Sequence, residues 1–313
     1  MKNKIITIVG GTGFVGRYVI KLLARDPNCQ IRIIARDVDA ALHLKTTGNV
    51  GQIALVSGDI TKPESLAGKL DNSFAVINLA GILYESGRQK FTAVHEKGAG
   101  HLATLAKQVG VERFVQLSAL GVEQAKESRY ASSKLNGEKA VKSAFPEATI
   151  FRPSIIFGAE DQFFNKFATL AALSPVMPVI GGKTRFQPAY VADVAQAIVT
   201  ALQREGTQGK TFELGGPGVY SFRELLEFTC RAIGRDPVFI TIPFGMAQIK
   251  GSVMQLLPRP PLTRDQVLLL KYNNVVSAGA HIFRDLGIFP QSLENIVPLY
   301  LARFVQNPSQ AAA

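Results

Sequence analysis

The chain has 313 residues and a mass of 33.8 kDa, with 47% hydrophobic and 19% charged residues, a balance that excludes disorder and allows a large buried core. Its formal charge of +11 and pI near 9.7 make the surface attractive to anions: a phosphorylated coenzyme, acidic lipid headgroups or an acidic partner. Lysine and arginine are scattered, without a dense run or an aromatic-interleaved stripe, so no nucleic-acid partner is expected.

The start "MKNKIITIVGG" runs straight into a strand and a glycine turn, unlike a signal or transit peptide. Apolar, β-rich runs at 4–10, 30–35, 52–57, 74–80, 113–119 and 148–153 alternate with helical patterns such as "FVGRYVIKLLARD" and "GHLATLAKQVG". Nearly continuous apolar strands separated by helices predict an α/β fold, a Rossmann-type doubly wound parallel sheet. Beyond residue 155 a helix at 161–173 and the stretch "SPVMPVIGGKTRFQP" precede a helix "VADVAQAIVTALQ" and a strand "KTFELGG". Then follow "SFRELLEFTCRAIG", a short strand "PVFITIP", an apolar helix from 244, the breaker "PRPPLT", two terminal helices and the tail "NPSQAAA". The predicted division is a dinucleotide-binding domain over 1–155, with part of 186–215 returning to it, and a smaller interleaved C-terminal lobe over 156–185 and 216–313. Cys29 and Cys230 stand far apart, which gives neither a disulfide framework nor a metal knuckle and suits a reducing, cytoplasmic compartment. No apolar run reaches the roughly 18 residues of a membrane-spanning helix.

"GGTGFVG" follows the first strand and opens the first helix, with Gly10, Gly13 and Gly16 at GxxGxxG spacing. Such glycines allow a tight turn and bring backbone N–H groups up to a pyrophosphate, so Gly10, Thr12, Gly13, Phe14, Val15 and Gly16 are expected to hold a dinucleotide. Arg36, twenty residues past Gly16, favours NADP(H), because a guanidinium pairs with a 2′-phosphate. NAD(H) stays open, with Asp37 as the alternative ribose contact. "GDI" places Asp59 and Ile60 beside the adenine, and "NLAG" places Asn78, Leu79, Ala80 and Gly81 at the carboxyl end of the fourth strand.

Ser118 ends the fifth predicted strand, and "RYASSK" opens a helix twelve residues later. Tyr130 and Lys134 then share a helix face one turn apart, which is also what a wet stripe of a surface helix would show. After a glycine-rich turn and Ser118, the catalytic reading is the stronger one. In it Lys134 lowers the phenol's pKa and holds the nicotinamide ribose, Tyr130 passes a proton to or from a substrate oxygen, and Ser118 hydrogen-bonds that oxygen.

"GGTGFVG", Arg36, "GDI", "NLAG", "SALG", "YASSK" and "RPSIIFG", in this order, resemble a short-chain dehydrogenase/reductase of the extended or atypical type. "NLAGILYE", "FPEATIFRPSIIFGAEDQFFNKFA" and "RFQPAYVADVAQAI" are more closely similar to one branch, the NADPH-binding accessory subunit of respiratory complex I and its bacterial relatives. This resemblance covers about residues 1–235. It implies tightly held NADPH, docking beside the membrane arm at the inner membrane, and a role that need not include turnover. It also implies that Arg152, Pro153, Ser154 and Gly158 form a loop closing over the nicotinamide. Mitochondrial members commonly lose the catalytic tyrosine, which this chain keeps as Tyr130; His95 stands where many extended members carry asparagine, and of the two readings, a functional role or a helix-surface histidine, the second is the expectation.

The alternative function is a free NADP-dependent oxidoreductase or a sugar-nucleotide epimerase or dehydratase. Phe163, Phe164 and Asn165 are placed at a pocket mouth or, for the two rings, in the core between the lobes. Lys183, Arg185 and Gln187 are the candidates for a diphosphate, in a stretch otherwise apolar enough to favour a quinone or isoprenoid-like substrate over a sugar nucleotide. The segment 244–271 reads as two amphipathic pieces that either lie on a membrane surface or partner, or finish the core.

Overall fold

The computed structural model describes residues 4–305 apart from Leu256 and Arg259. The tail "NPSQAAA" and parts of the 244–271 segment and its proline breaker therefore lie outside the described residues. Two units are present. The first takes the chain up to Pro153 with Ala192–Leu214 and Ser277–Phe289, and the second takes Ser154–Val191, Gly215–Val276 and the residues from Pro290 onward. Ala192–Leu214 lies within the 186–215 stretch from which a part is expected to return, whereas Ser154 and Ile155 fall in the second unit and Ser277–Phe289 in the first.

The first unit is built on strands β1 (Lys4–Val9), β2 (Cys29–Ala35), β3 (Ile53–Ser57), β4 (Ser73–Asn78), β5 (Arg113–Leu117) and β6 (Thr149–Pro153). With the strand Thr211–Leu214 they form one seven-stranded sheet in the order Thr211–Leu214, β6, β5, β4, β1, β2, β3. Every pairing is parallel, so the sheet is the doubly wound Rossmann type, as the near-continuous apolar runs require. The chain leaves β1 toward β2 and β3, then crosses back to β4 on the other flank of β1. The carboxyl ends of β1 and β4 are therefore the topological switch point, where such sheets bind ligands.

Three helical segments carry the site side chains. Helix α1 (Phe14–Leu23) buries Val15, Val19, Ile20 and Leu23, a three-to-four-residue stripe laid on the sheet. A wide-wound π-helical stretch, Thr92–Gly98, runs directly into α2 (Ala99–Gln108). Helix α3 (Arg129–Ala144) starts at Ser128, whose hydroxyl accepts the Ala131 N–H at 3.1 Å. The π-helical stretch, α2 and α3 cover one sheet face through Val94, Leu102, Ala103, Val141 and Phe145 packed on Val76 and Phe114.

Small residues let these helices approach closely. A Cβ on Gly137 of α3 would lie 1.9 Å from the His95 carbonyl oxygen, and one on Gly100 would lie 2.9 Å from the Ala140 Cβ. Behind α3, Arg152 on β6 gathers three carboxylates: Glu138 through Nη2 at 2.6 Å and Nε at 2.9 Å, Glu123 at 2.7 Å and Glu213 at 3.7 Å. Burial alone would lower the arginine's pKa, but the hydrogen bonds and charges of Glu138 and Glu123 overcome it and drive the value above its ordinary range.

The second unit packs the helices Phe164–Leu173, Phe222–Ala232 and Leu293–Leu301 around an aromatic core. Phe164 is fully buried, and Phe163 meets it edge-on at 5.0 Å and Phe222 at 5.9 Å, so both rings belong to this unit's own core. Asn165 donates to the Asp161 carbonyl at 2.9 Å, and Gln187 donates to the Gly216 carbonyl at 2.8 Å and accepts from Val276 at 3.1 Å, which commits both side chains to holding loops. The helix Phe244–Met254 is not amphipathic in the expected sense. It buries only its small residues Ala247 and Gly251, a Gly251 Cβ falling 2.9 Å from the Arg264 amide, and leaves Met246, Ile249 and Val253 exposed. Among the described residues no helix is long and apolar enough to cross a membrane.

Candidate functional site

The glycine turn sits at the switch point and is shaped by what a side chain would hit. Gly10 has φ +81°, and a Cβ there would lie 2.7 Å from the Leu79 carbonyl carbon and 2.8 Å from the Ala80 nitrogen. A Cβ on Gly16 would meet the Gly11 and Gly10 carbonyl oxygens at 2.5 and 2.6 Å. Gly10, Leu79 and Ala80 are thereby brought together, and α1 starts directly under the turn. Its N-cap, Gly13, supplies no capping side chain, and its first turn holds no acidic residue. A helix N-terminus left without its own anion, behind a turn of exposed Thr12 and Gly13, fits a pyrophosphate. Val15 is buried beneath it, and Phe14 packs edge-on to Tyr18 at 5.9 Å.

Around the turn the other predicted positions divide by what their side chains already do. Arg36 is exposed just past the end of β2, and neighbouring Asp37 accepts the Ala40 N–H at 3.0 Å, which ties that carboxylate to its own turn. Asp59 accepts from the amide and hydroxyl of Thr61 at 2.9 and 2.8 Å through one oxygen, leaving the other. The Ile60 side chain is buried. Asn78 is a bracket: its Oδ1 accepts the Ala80 N–H at 3.1 Å, and its Nδ2 donates to Gln116 at 2.8 Å, fixing the course of Leu79, Ala80 and Gly81. Pro153 is buried, its carbonyl accepting from Leu120 at 2.9 Å. Ser154 belongs to the second unit, where its hydroxyl donates to Asn274 Oδ1 at 2.6 Å and accepts from the Gln187 amide at 3.2 Å.

The tyrosine helix closes the other side. Lys134 reaches from α3 to the sheet edge, donating to the Leu117 carbonyl at 3.3 Å, and a Cβ on Gly81 would lie 3.2 Å from its Nζ. Gly81, Lys134 and the end of β5 thus converge. Burial pushes the ammonium's pKa down to about 8, with the Glu138 carboxylate one turn on pulling the other way. The same carboxylate pairs with Arg152 at 2.6 Å. Ser118 follows Leu117, and its hydroxyl is buried with no hydrogen-bond partner among the described residues. A hydroxyl stripped of water and left unsatisfied costs about 1–3 kcal/mol. Sites built to hydrogen-bond a ligand carry such groups.

His95 contradicts its expectation outright, for it is 2% exposed rather than on a helix surface. Its Nε2 accepts the Ile82 N–H at 3.0 Å, which fixes the proton on Nδ1; that nitrogen donates to Ser133 Oγ at 2.9 Å, and the serine donates to the Tyr130 carbonyl at 2.7 Å. The imidazole stacks on Phe91 at 5.6 Å and meets the Tyr130 ring edge-on at 5.4 Å. Burial first, and the Lys134 charge second, push its pKa down to about 2, so it is a neutral spacer joining the segment after β4 to the start of α3. The sequence carries a signal for this: His95 lies on the stripe of Phe91, Val94, Gly98 and Leu102, whose three-to-four-residue spacing marks a buried face.

Residues 6–215 match the family described as "NAD dependent epimerase/dehydratase family". The chain is 34% identical over 312 residues to the mitochondrial "NADH dehydrogenase [ubiquinone] 1 alpha subcomplex subunit 9" of Arabidopsis thaliana, covering 96% of this chain and 78% of that relative. It is 30% identical over 241 residues to "Ceramide reductase" of Caulobacter vibrioides, covering 76% of this chain and 74% of that one. Among solved structures, an NADPH-dependent quinone oxidoreductase from Escherichia coli, complexed with NADPH, superposes with a TM-score of 0.75 at 20% identity over 94% of this chain and 99% of that chain.

Proposed function

This chain belongs to the NAD dependent epimerase/dehydratase family, and on that footing we propose that it holds NADP(H) and interconverts a carbonyl and a hydroxyl on a small molecule. The observation that carries the reading is the buried Ser118 hydroxyl, unpartnered among the described residues and next to the Leu117 carbonyl that Lys134 touches. The glycine turn and the uncapped start of α1 would hold the pyrophosphate, and Arg36 the 2′-phosphate, while Asp59 and Ile60 would flank the adenine. Leu79, Ala80 and Gly81 would line the nicotinamide half, with Lys134 on its ribose and Pro153 and the Ser154 backbone at the far edge. The bound nicotinamide supplies or accepts a hydride. In reduction Tyr130 gives its phenolic proton to the substrate oxygen, Ser118 donates a hydrogen bond to that oxygen, and Lys134 supplies the positive charge that steadies the phenolate left behind. In oxidation the proton moves back.

A second reading is favoured by the 34% identity to a complex I subunit over 96% of this chain. In it the coenzyme stabilises a subunit docked on respiratory complex I at a membrane surface, with the exposed Met246, Ile249 and Val253 as contact residues. The name of one relative, the ceramide reductase of Caulobacter vibrioides, supports a lipid-like substrate over a sugar nucleotide.

One experiment separates the readings. The full chain is loaded with NADPH, and its oxidation is followed by absorbance against quinone, long-chain ketone and sugar-nucleotide panels. The catalytic reading expects turnover with one class, abolished in Tyr130→Phe with NADPH affinity unchanged. NADPH that stays bound and reduced against every panel leaves the subunit reading standing alone. Affinity for NADH equal to that for NADPH, and unchanged in Arg36→Ala, would overturn the assignment of Arg36.

A further inference from the structure

Beside the tyrosine helix, and wholly within the first unit, opens a cleft of about 630 Å³ lined by Glu85, Lys90, Thr92, Ala93, Lys97 and Arg129. Its only carboxylate among these is already committed. Glu85 accepts the Phe91 N–H at 2.9 Å and pairs with Arg129 at 3.1 Å, and so ties the start of the π-helical stretch to the start of α3. Lys90 and Lys97 are exposed and make no ion pair among the described residues. Three cations against one carboxylate leave two net positive charges along this open cleft. Two neighbours of the lining residues lead toward Tyr130: Arg129 immediately precedes it, and Phe91, between Lys90 and Thr92, meets its ring edge-on at 5.8 Å.

We propose that this cleft binds a phosphate group, and that the substrate is a phosphate-bearing molecule whose reacting oxygen sits at Tyr130. Two unpaired ammonium groups match the charge of a phosphate, which a single carboxylate would neutralise only by half. The Thr92 side chain lies on the same wall, and its hydroxyl adds a donor. The reacting end rests on the proposed function; the anion site stands on the cleft alone. The phosphate belongs either to a free metabolite or to a lipid headgroup, and the chemistry of recognition is the same for both.

The test uses the full chain saturated with NADPH, so that the coenzyme fills its own phosphate positions. Glycerol 3-phosphate is titrated calorimetrically at low salt into wild type and Lys90→Glu/Lys97→Glu, and both are sedimented with phosphatidylcholine vesicles with and without phosphatidate. The expected result is binding that weakens at least ~tenfold in the double variant, with NADPH affinity unchanged. Loss seen with glycerol 3-phosphate identifies a soluble phosphate, and loss seen only with phosphatidate vesicles identifies a lipid headgroup. Equal binding by both proteins, or no binding of either probe by wild type, overturns the proposal. Should NADPH itself fail to bind, the proposed function falls, and the same pair of titrations on the bare chain still decides the cleft.

Discussion

Mild acid should weaken this fold through one imidazole. In the folded chain His95 has its pKa pushed from 6.5 down to about 2, while both ring nitrogens are occupied by the Ile82 amide and the Ser133 hydroxyl. Below about pH 6.5 the unfolded chain takes up a proton that the folded chain refuses, so this contribution is whole above that pH and is lost as pH falls toward the folded value. Each pH unit inside the window is worth about 1.4 kcal/mol. Going from about pH 7.5 to about pH 5 therefore removes about 2 kcal/mol through His95 alone. The comparison is urea unfolding of wild type and His95→Gln at both pH values. Glutamine keeps an oxygen for the Ile82 amide and does not titrate, so the difference between the two proteins cancels every other ionisable group. Wild type should lose about 2 kcal/mol more than the variant on acidification. Equal losses would show that the ring takes up its proton without unfolding, and that the sealed, neutral imidazole described above is wrong.

Two further perturbations test the frame behind the site. Arg152→Ala leaves the Glu138 carboxylate, whose side chain is 4% exposed, buried without its partner, and should cost about 3–5 kcal/mol in denaturant unfolding. Arg152→Lys should recover only part of that, because an ammonium cannot reproduce the two contacts to Glu138; full recovery would mean that charge alone matters there. Gly137→Ala forces a methyl to 1.9 Å from the His95 carbonyl oxygen. Overpacking of about 1–3 kcal/mol, set against a helix-propensity gain of about 1 kcal/mol, should leave a net loss of up to about 2 kcal/mol by thermal unfolding. A stabilised variant would show that α3 slides freely on its neighbour.

The parallel sheet was legible because β1, β2, β4, β5 and β6 are largely buried on both faces and so write themselves as near-continuous apolar runs, whereas the edge strand β3 is partly exposed. The glycine turn was legible because its requirements are local: a backbone within 3 Å of the end of β4 admits no side chain. What stayed hidden depends on distant partners. Ser154 reads as a loop serine until Asn274, 120 residues away, takes its hydroxyl. Arg152 reads as part of a loop until Glu123, Glu138 and Glu213 surround it. The return of Ser277–Phe289 to the first unit rests on a backbone bond from Glu213 to His281, which leaves no periodicity behind. The burial of His95 is hidden for another reason: one polar residue on a helix says nothing of burial unless its stripe is traced in both directions.

On the proposed reading, the Ser118 hydroxyl would carry discrimination into the earliest encounter with a ligand. A compound that brings an oxygen to it regains the roughly 1–3 kcal/mol that the orphaned dipole withholds, and an analogue with a methylene there regains nothing. Selection between the two, on the order of 10- to 100-fold, is therefore set by the shape of the empty receptor, before any bond to hydrogen is made or broken.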